Sequence, residues 1–217
     1  MSGRAAPRGR IDKRQAILDA AFTVFARRGY AQTCMQEIAE VAGAAKPTVY
    51  NHFADKEALF LAAMAAVSDA VTTRNLAIVN EIRLPVADLD AVLHRTAYRL
   101  AQSCCEERSR ALRRLVCSEV NHFPDLLETV YGHTAEQLTA ALAGKLAQLS
   151  LSGQLRPCDP AAAAEQFLAL LTAPMDNRSR LGTRKVPTAE IRAVASGAVD
   201  TFLRAYATEA PDHTAAA

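Results

Sequence analysis

Residues 33–56, TCMQEIAEVAGAAKPTVYNHFADK, decide how this chain reads. Thr33 stands where an N-cap hydroxyl meets the backbone three residues on, and Gln36 stands where its side chain reaches back. That spacing predicts a capping box and a helix start. Met35, Ile38, Ala39 and Ala42 recur at spacings of three and four, giving one apolar stripe, and Gly43 supplies the backbone freedom a helix needs to stop. A second helix begins within a few residues, because Pro47 is tolerated in a first turn, where its missing N–H would go unpaired anyway. At about 100° per residue, Val49 and Phe53 point inward, Pro47, Thr48, Asn51 and His52 fall opposite, and Lys46 and Tyr50 lie at the flanks. Asp55 is placed to cap a third helix from Lys56 onward.

A helix, a short turn containing Gly and a second short helix form the helix-turn-helix unit, whose second member enters the major groove. Spacing alone also fits a solvated helical corner. The residues themselves carry more: Thr33, Ile38, Ala39, Ala42, Gly43, Thr48, Tyr50, His52, Phe53, Lys56, Glu57 and Leu59 match the signature of TetR-family one-component transcriptional regulators, which this segment resembles. ILDAAFTVFARRGY, residues 17–30, is similar to the first helix of that family. The chain departs from the pattern at Cys34, Ala44 and Ala45, where Ser, Val and Ser are usual. Losing a serine before the recognition helix removes a cap worth about 1 kcal/mol.

Upstream, Asp12 and Gln15 have the spacing of a weak capping box, and Leu18, Ala21, Phe22 and Phe25 repeat at helical spacing before Arg27, Arg28 and Gly29 close the element. Such a helix gives the two short ones a wall to pack on. Residues 1–53 carry eight Lys/Arg against four acids, whereas the remainder carries seventeen against nineteen, so the formal net charge of +2 conceals a basic end. Residues 1–10, with Arg4, Arg8 and Arg10, read as a flexible basic arm that either stays solvated or reaches a groove.

At 217 residues and 50% hydrophobic composition, with more than 40 alanines and almost no β-branched alternation, the chain is expected to be all-α without a sheet. The organisation expected is a basic arm at 1–10, a DNA-binding domain at 11–55, a helical ligand-binding and dimerisation domain at 56–208 and a loose tail at 209–217. Helices are expected at 56 to about 80, then near 87–104, 108–122, 124–152, 160–175 and 188–207, punctuated by Pro and Gly. The rod from Lys56 starts beside the reading unit and ends in the body, which makes it the natural lever between them. No apolar run approaches a membrane span and no secretory leader is evident, so a cytoplasmic protein is expected.

The five cysteines, Cys34, Cys104, Cys105, Cys117 and Cys158, lack metal or scaffold spacing. The adjacent Cys104 and Cys105 invite a thiol-sensor reading that Glu106 and Glu107 disfavour. Cys117 with His122 and His133 straddles a proline and lacks a third clear partner, so no metal and no cofactor are expected. Nor is there a catalytic motif. The rival reading from another class is a helical scaffold whose basic end meets an acidic protein surface.

Residues 113–127, RRLVCSEVNHFPDLL, followed by Tyr131, resemble the ligand-side domain of the AefR-like subgroup of the family. The resemblance implies a body that surrounds a small-molecule effector and pairs its last two helices, near 160–175 and 188–207, with those of a second copy. Leu168, Leu171, Val194, Val199, Phe202 and Leu203 are the expected seam, with packing inside one subunit as the alternative. Met64, His94, Tyr98, Cys117, His122, Phe123, Tyr131 and Met175 are the expected effector contacts, mixing bulky apolar surface with polar tips. For DNA, the resemblance implies Lys46, Pro47, Thr48, Asn51 and Gln36 at base edges and Tyr50, His52 and Lys56 on phosphates. Two copies of so short a reading helix imply a homodimer on a palindromic double-stranded operator, with repression relieved by the effector.

Overall fold

A computed structural model describes residues 8–208, the side chains of residues 8–11 and 133 excepted. Most of the expected arm and all of the expected tail therefore lie outside the described residues; the backbone of residues 8–10 is already helical. Nine α-helices are present among the described residues: α1 (Arg8–Gln32), α2 (Met35–Val41), α3 (Lys46–His52), α4 (Lys56–Asn80), α5 (Leu89–Cys105), α6 (Glu107–Glu119), α7 (His133–Leu151), α8 (Pro160–Ser179) and α9 (Thr188–Tyr206). A single isolated bridge, Leu155 to Ala207, is the extent of extended pairing there. No helix of the described residues is long and apolar enough to cross a membrane.

Two expected caps give way to other bonds. The Thr33 hydroxyl donates to the Gly29 carbonyl at 2.7 Å, Gln36 donates to Glu40 at 2.9 Å, and Cys34 occupies the N-cap of α2 with no side-chain cap. Thr33 serves the end of α1 because Gly29, at φ 76° and ψ 168°, breaks that helix and leaves carbonyls in need of donors. Asp12 caps nothing, since α1 begins upstream at Arg8. The Asp55 cap is present, accepting from the Ala58 N–H at 2.7 Å. In place of one rod over 124–152, a π-turn at Glu128–Gly132 precedes α7. Pro174 lies inside α8, which continues to Ser179.

The chain divides into two compact units. The first takes residues 8–70 and 111–132 of the described chain, and its core is aromatic. Phe60, fully buried, meets Phe25 edge-on at 5.0 Å, Tyr30 at 5.1 Å and Phe123 in a stacked arrangement at 5.1 Å.

The second unit takes 71–110 and 133–208. Its core joins Leu93, Leu100, Leu142, Leu146, Phe167, Leu171, Val199 and Phe202 from α5, α7, α8 and α9. Here the expected dimer seam is corrected. Leu171, Val194, Val199 and Phe202 are at most 7% exposed in a single subunit, and Leu168 and Leu203 pack partly against the same core. These four buried members are spent inside the subunit, where α8 packs on α7 and α9 and α9 on α5, while Leu168 and Leu203 keep part of their surface exposed. Asp159 caps α8 through the N–H groups of Ala161 and Ala162, and Arg184 grips Glu190 at the start of α9, holding that carboxyl below its usual range.

Candidate nucleic-acid interface

Helix α3 is seven residues long and cannot stand alone, so its orientation rests on what it buries. Val49 is 0% exposed and Phe53, at its C-cap, 5%; on α2, the helix that α3 packs against, Met35, Ile38 and Ala39 are buried as well. The Arg14 guanidinium of α1 covers the Phe53 ring at 5.1 Å, a contact that adds cation–π attraction to apolar burial. Gly43, at φ 60°, makes the turn; no atom would obstruct a Cβ there, so the backbone angle and not space demands glycine. Ala45 begins α3 without a side-chain cap, and Pro47 occupies its first turn.

With the two anchors rooted, Lys46, Pro47, Tyr50 and Asn51 are exposed on α3, while Thr48 and His52 are half-buried. The Lys46 ammonium lies 6.0 Å from the Tyr50 ring, so cation and phenol share one outward edge. Gln36 is exposed on α2 and tied to Glu40. Lys56 is placed differently from a free phosphate anchor. Its Nζ donates to the carbonyls of Tyr30 at 3.1 Å and Thr33 at 3.2 Å and rests 4.3 Å from the Tyr30 ring centroid. It pins the α1–α2 junction to the start of α4, with one of its three donors left over.

Sequence reasoning missed three supports of this platform. Arg14 over Phe53 is one, and Tyr30 is another: its ring contacts Phe25, Phe60, His122 and Phe123. Burial raises the Tyr30 phenol above its ordinary value, as do Glu57, Asp55 and Glu119 nearby. The third is a clamp between α1 and α2. Arg27 pairs with the Glu37 carboxylate, and Arg28 donates to the same oxygen at 3.1 Å. A basic pair at a helix end facing an acid in the next helix is the signal that could have found it.

Partial burial pushes the Glu37 carboxyl up, but hydrogen bonds from Arg28 and Arg27 outweigh it and hold the group below its ordinary value of 4.5. A depressed carboxylate contributes stability that is fully present above that ordinary value and is lost as pH falls through the folded one. Glu37→Gln is therefore expected to melt below wild type at neutral pH, with the gap closing under acid. A gap that stays constant from pH 7 to pH 3 in thermal melts would remove the clamp.

The residues expected to contact effector divide between the units. Met64, Cys117, His122, Phe123 and Tyr131 belong to the first, and His94, Tyr98 and Met175 to the second. Met64 and Phe123 are core; Cys117 and His122 face solvent. In the second unit His94 lies 3.6 Å from Asp90 and 3.7 Å from Asp200, Tyr98 lies under Arg192, and Met175 meets the Cys105 sulfur at 3.5 Å. The groove visible in that unit, about 480 Å³ between α8 and α9, is lined by other residues, among them Ala169, Leu170, Ala173, Pro174 and Ala205.

A chain whose described residues are mainly helical, and whose short reading helix is anchored by two side chains and presents cation, amide and phenol outward, is a helix-turn-helix DNA-binding protein. Residues 17–63 match the model of bacterial regulatory proteins of the tetR family, and residues 91–208 that of the AefR-like transcriptional repressor C-terminal domain. The chain belongs to the TetR family of transcriptional regulators. A TetR-family regulator of Mesorhizobium loti superposes with TM-score 0.83 at 30% identity over 91% of this chain and 98% of that one. The flavonoid-responsive regulator FrrA does so with TM-score 0.68 at 26% identity over 92% and 99%. The transcriptional regulator RutR of Escherichia coli O157:H7 is 30% identical over 148 residues, 68% of this chain. The chain spans 66% of that relative's length, just under two thirds.

Proposed function

We propose that this protein is a homodimeric repressor that binds a palindromic operator and leaves it when a small molecule binds the body. Residues 11–55 read DNA and 56–208 hold effector and partner. The observation that carries the reading is the rooting of Val49 and Phe53, which turns Lys46, Pro47, Thr48 and Asn51 toward base edges, with Gln36 beside them. Tyr50 and His52 position phosphates, and Lys56 acts chiefly through the junction it pins. Family membership supports a binding role and not catalysis, and a cytoplasmic setting follows from the DNA target.

The decisive experiment is selection of duplexes from a random pool. A palindrome with half-sites one helical turn apart, or a multiple of it, is expected. A helical scaffold would recover no sequence preference as salt weakens every phosphate contact. Tyr50→Ala and Lys56→Met are each expected to weaken binding to all selected duplexes alike, and Lys56→Met also to lower the melting temperature. Unchanged affinity in gel-shift titrations would discredit those roles.

The second copy is proposed to seat on the exposed faces of α8 and α9, over the apolar groove bordered by Ala169, Ala173 and Ala205. Small side chains let two helix backbones approach closely, and charge at the centre of such a contact is costly. Ala173→Glu is expected to give monomers in sedimentation and at least tenfold weaker operator binding, roughly the loss expected when one of two half-sites disengages. A dimer that survives this change would place the interface elsewhere.

Ligand and DNA couple only if the effector prefers one arrangement of the body. Helix α4 contributes to both units, and so does α6, so each can transmit that preference along a continuous backbone. The name of FrrA records response to a flavonoid, which supports a small organic effector in this family.

A further inference from the structure

Helix α2 carries two carboxylates, and they are met differently. Glu37 pairs with Arg27 and Arg28, whereas Glu40, exposed on the same helix, has no cation within ion-pair distance among the described residues. Its one side-chain bond there is accepted at 2.9 Å from Gln36 Nε2, four residues back. Residues four apart lie on one helix face, so Glu40 shares the outward side that Gln36 occupies. An acid without a counter-charge on that side lowers affinity for every duplex, because it repels phosphate. The bond to Gln36 points to what the carboxylate does in return.

A carboxylate accepts and never donates, so the Gln36 atom opposite Glu40 is the amide nitrogen. A glutamine amide free to rotate offers a base either end: as donor it suits the oxygens of guanine and thymine, as acceptor the amines of adenine and cytosine. With one N–H of Nε2 committed to Glu40, that flip is suppressed. Oε1 of Gln36 takes no hydrogen bond among the described residues, and the second N–H of Nε2 remains beside it. An acceptor and a donor side by side match the N6 amine and N7 of adenine. Guanine presents two acceptors at those places, and its O6 would meet the glutamine oxygen lone pair to lone pair.

Resting on the base-edge role given to Gln36 above, we propose that Glu40 is a positioning residue for sequence readout, holding the Gln36 amide in the orientation that selects adenine in each half-site. The carboxylate touches no base itself. It weakens binding to all duplexes and sharpens the choice at one base pair.

The test uses the full chain, duplex selection, and titration of the selected duplex changed at single positions, for wild type, Gln36→Ala, Glu40→Ala and the double variant. Alanine at exposed helix positions keeps the fold. Wild type is expected to favour adenine at one position of each half-site by roughly fivefold or more, and Gln36→Ala to erase that preference. Glu40→Ala is expected to bind non-specific duplex more tightly, most at low salt, while cutting the adenine preference about twofold or more. A merely structural role would not move those two quantities in opposite directions. In the double variant the tighter non-specific binding is expected to persist with no further loss of preference, since nothing is left to position. A base other than adenine at the position Gln36 reads, an unchanged preference in Glu40→Ala, or losses that add in the double variant would each overturn the proposal and leave Gln36 a base reader. Gln36→Ala that alters no position would remove the base-edge role itself, and this proposal with it, while a palindrome selected through α3 would stand.

Discussion

Phe60→Ala is expected to destabilise the first unit by about 3–5 kcal/mol, the usual cost of emptying a large buried aromatic site, and to abolish operator binding at 37 °C. Phe60 is 0% exposed and its ring is held by Phe25, Tyr30 and Phe123, side chains from α1 and from the segment after α6. Collapse into the void is hindered, because Tyr30 is also held by Lys56, which lies over its ring and takes its backbone carbonyl as an acceptor. Loosening Tyr30 therefore loosens the entry to α2 and, through it, the angle of α3. Phe60→Leu keeps most of the volume and is expected to cost roughly 1–2 kcal/mol. Urea denaturation followed by tyrosine fluorescence checks both, the chain having no Trp. If the alanine variant unfolds at the wild-type midpoint, the aromatic cluster does not carry this unit.

The reading helix was legible because its determinants are local. A glycine at φ 60°, a proline in the first turn, two apolar residues four apart and an aspartate cap all act within a dozen residues, and each is found where the pattern places it. Lys56 shows the limit of that logic. A cation beside a DNA-reading helix looks like a phosphate anchor, yet its acceptors come from residues 26 and 23 positions upstream, which no local pattern discloses. Thr33 fails for a related reason: its hydroxyl had two claimants, and the break at Gly29 took it.

The body was harder because periodicity identifies an apolar stripe without saying what covers it. On α8 and α9 the large residues Leu171, Val194, Val199 and Phe202 are used up inside the subunit. The face left outward sets alanines such as Ala169, Ala173 and Ala205 among polar residues such as Gln166 and Thr201, and those alanines do not stand out in a chain with more than 40 of them. The division into units was similarly hidden, since α4 and α6 each contribute to both and a helix carries no mark where its packing partner changes.

Gly182→Ala should be the most damaging single-methyl change in the second unit. Helix α8 ends in a run of three left-handed residues, Arg180 at φ 49°, Leu181 at φ 53° and Gly182 at φ 91°. A side chain at the last of these meets two penalties. The conformation itself costs about 1–2 kcal/mol for an L-residue. The added Cβ would also run into the Arg110 carbonyl oxygen and lie 3.1 Å from its carbon and 3.2 Å from the Arg110 Cα. Those atoms are backbone at the start of α6 and cannot swing aside as a side-chain tip would, so overpacking adds about 1–3 kcal/mol. Gly144, within α7, is the matched control: nothing lies within 4 Å of a Cβ there, and the same substitution should stabilise by about 0.5–1 kcal/mol through helix propensity. Two glycine-to-alanine changes in one unit are thus expected to move its melting temperature in opposite directions. If Gly182→Ala melts with wild type, the turn after α8 does not press on the start of α6. The Arg110 bond to the Gly182 carbonyl, which depends on the same approach, would then lose its support as well.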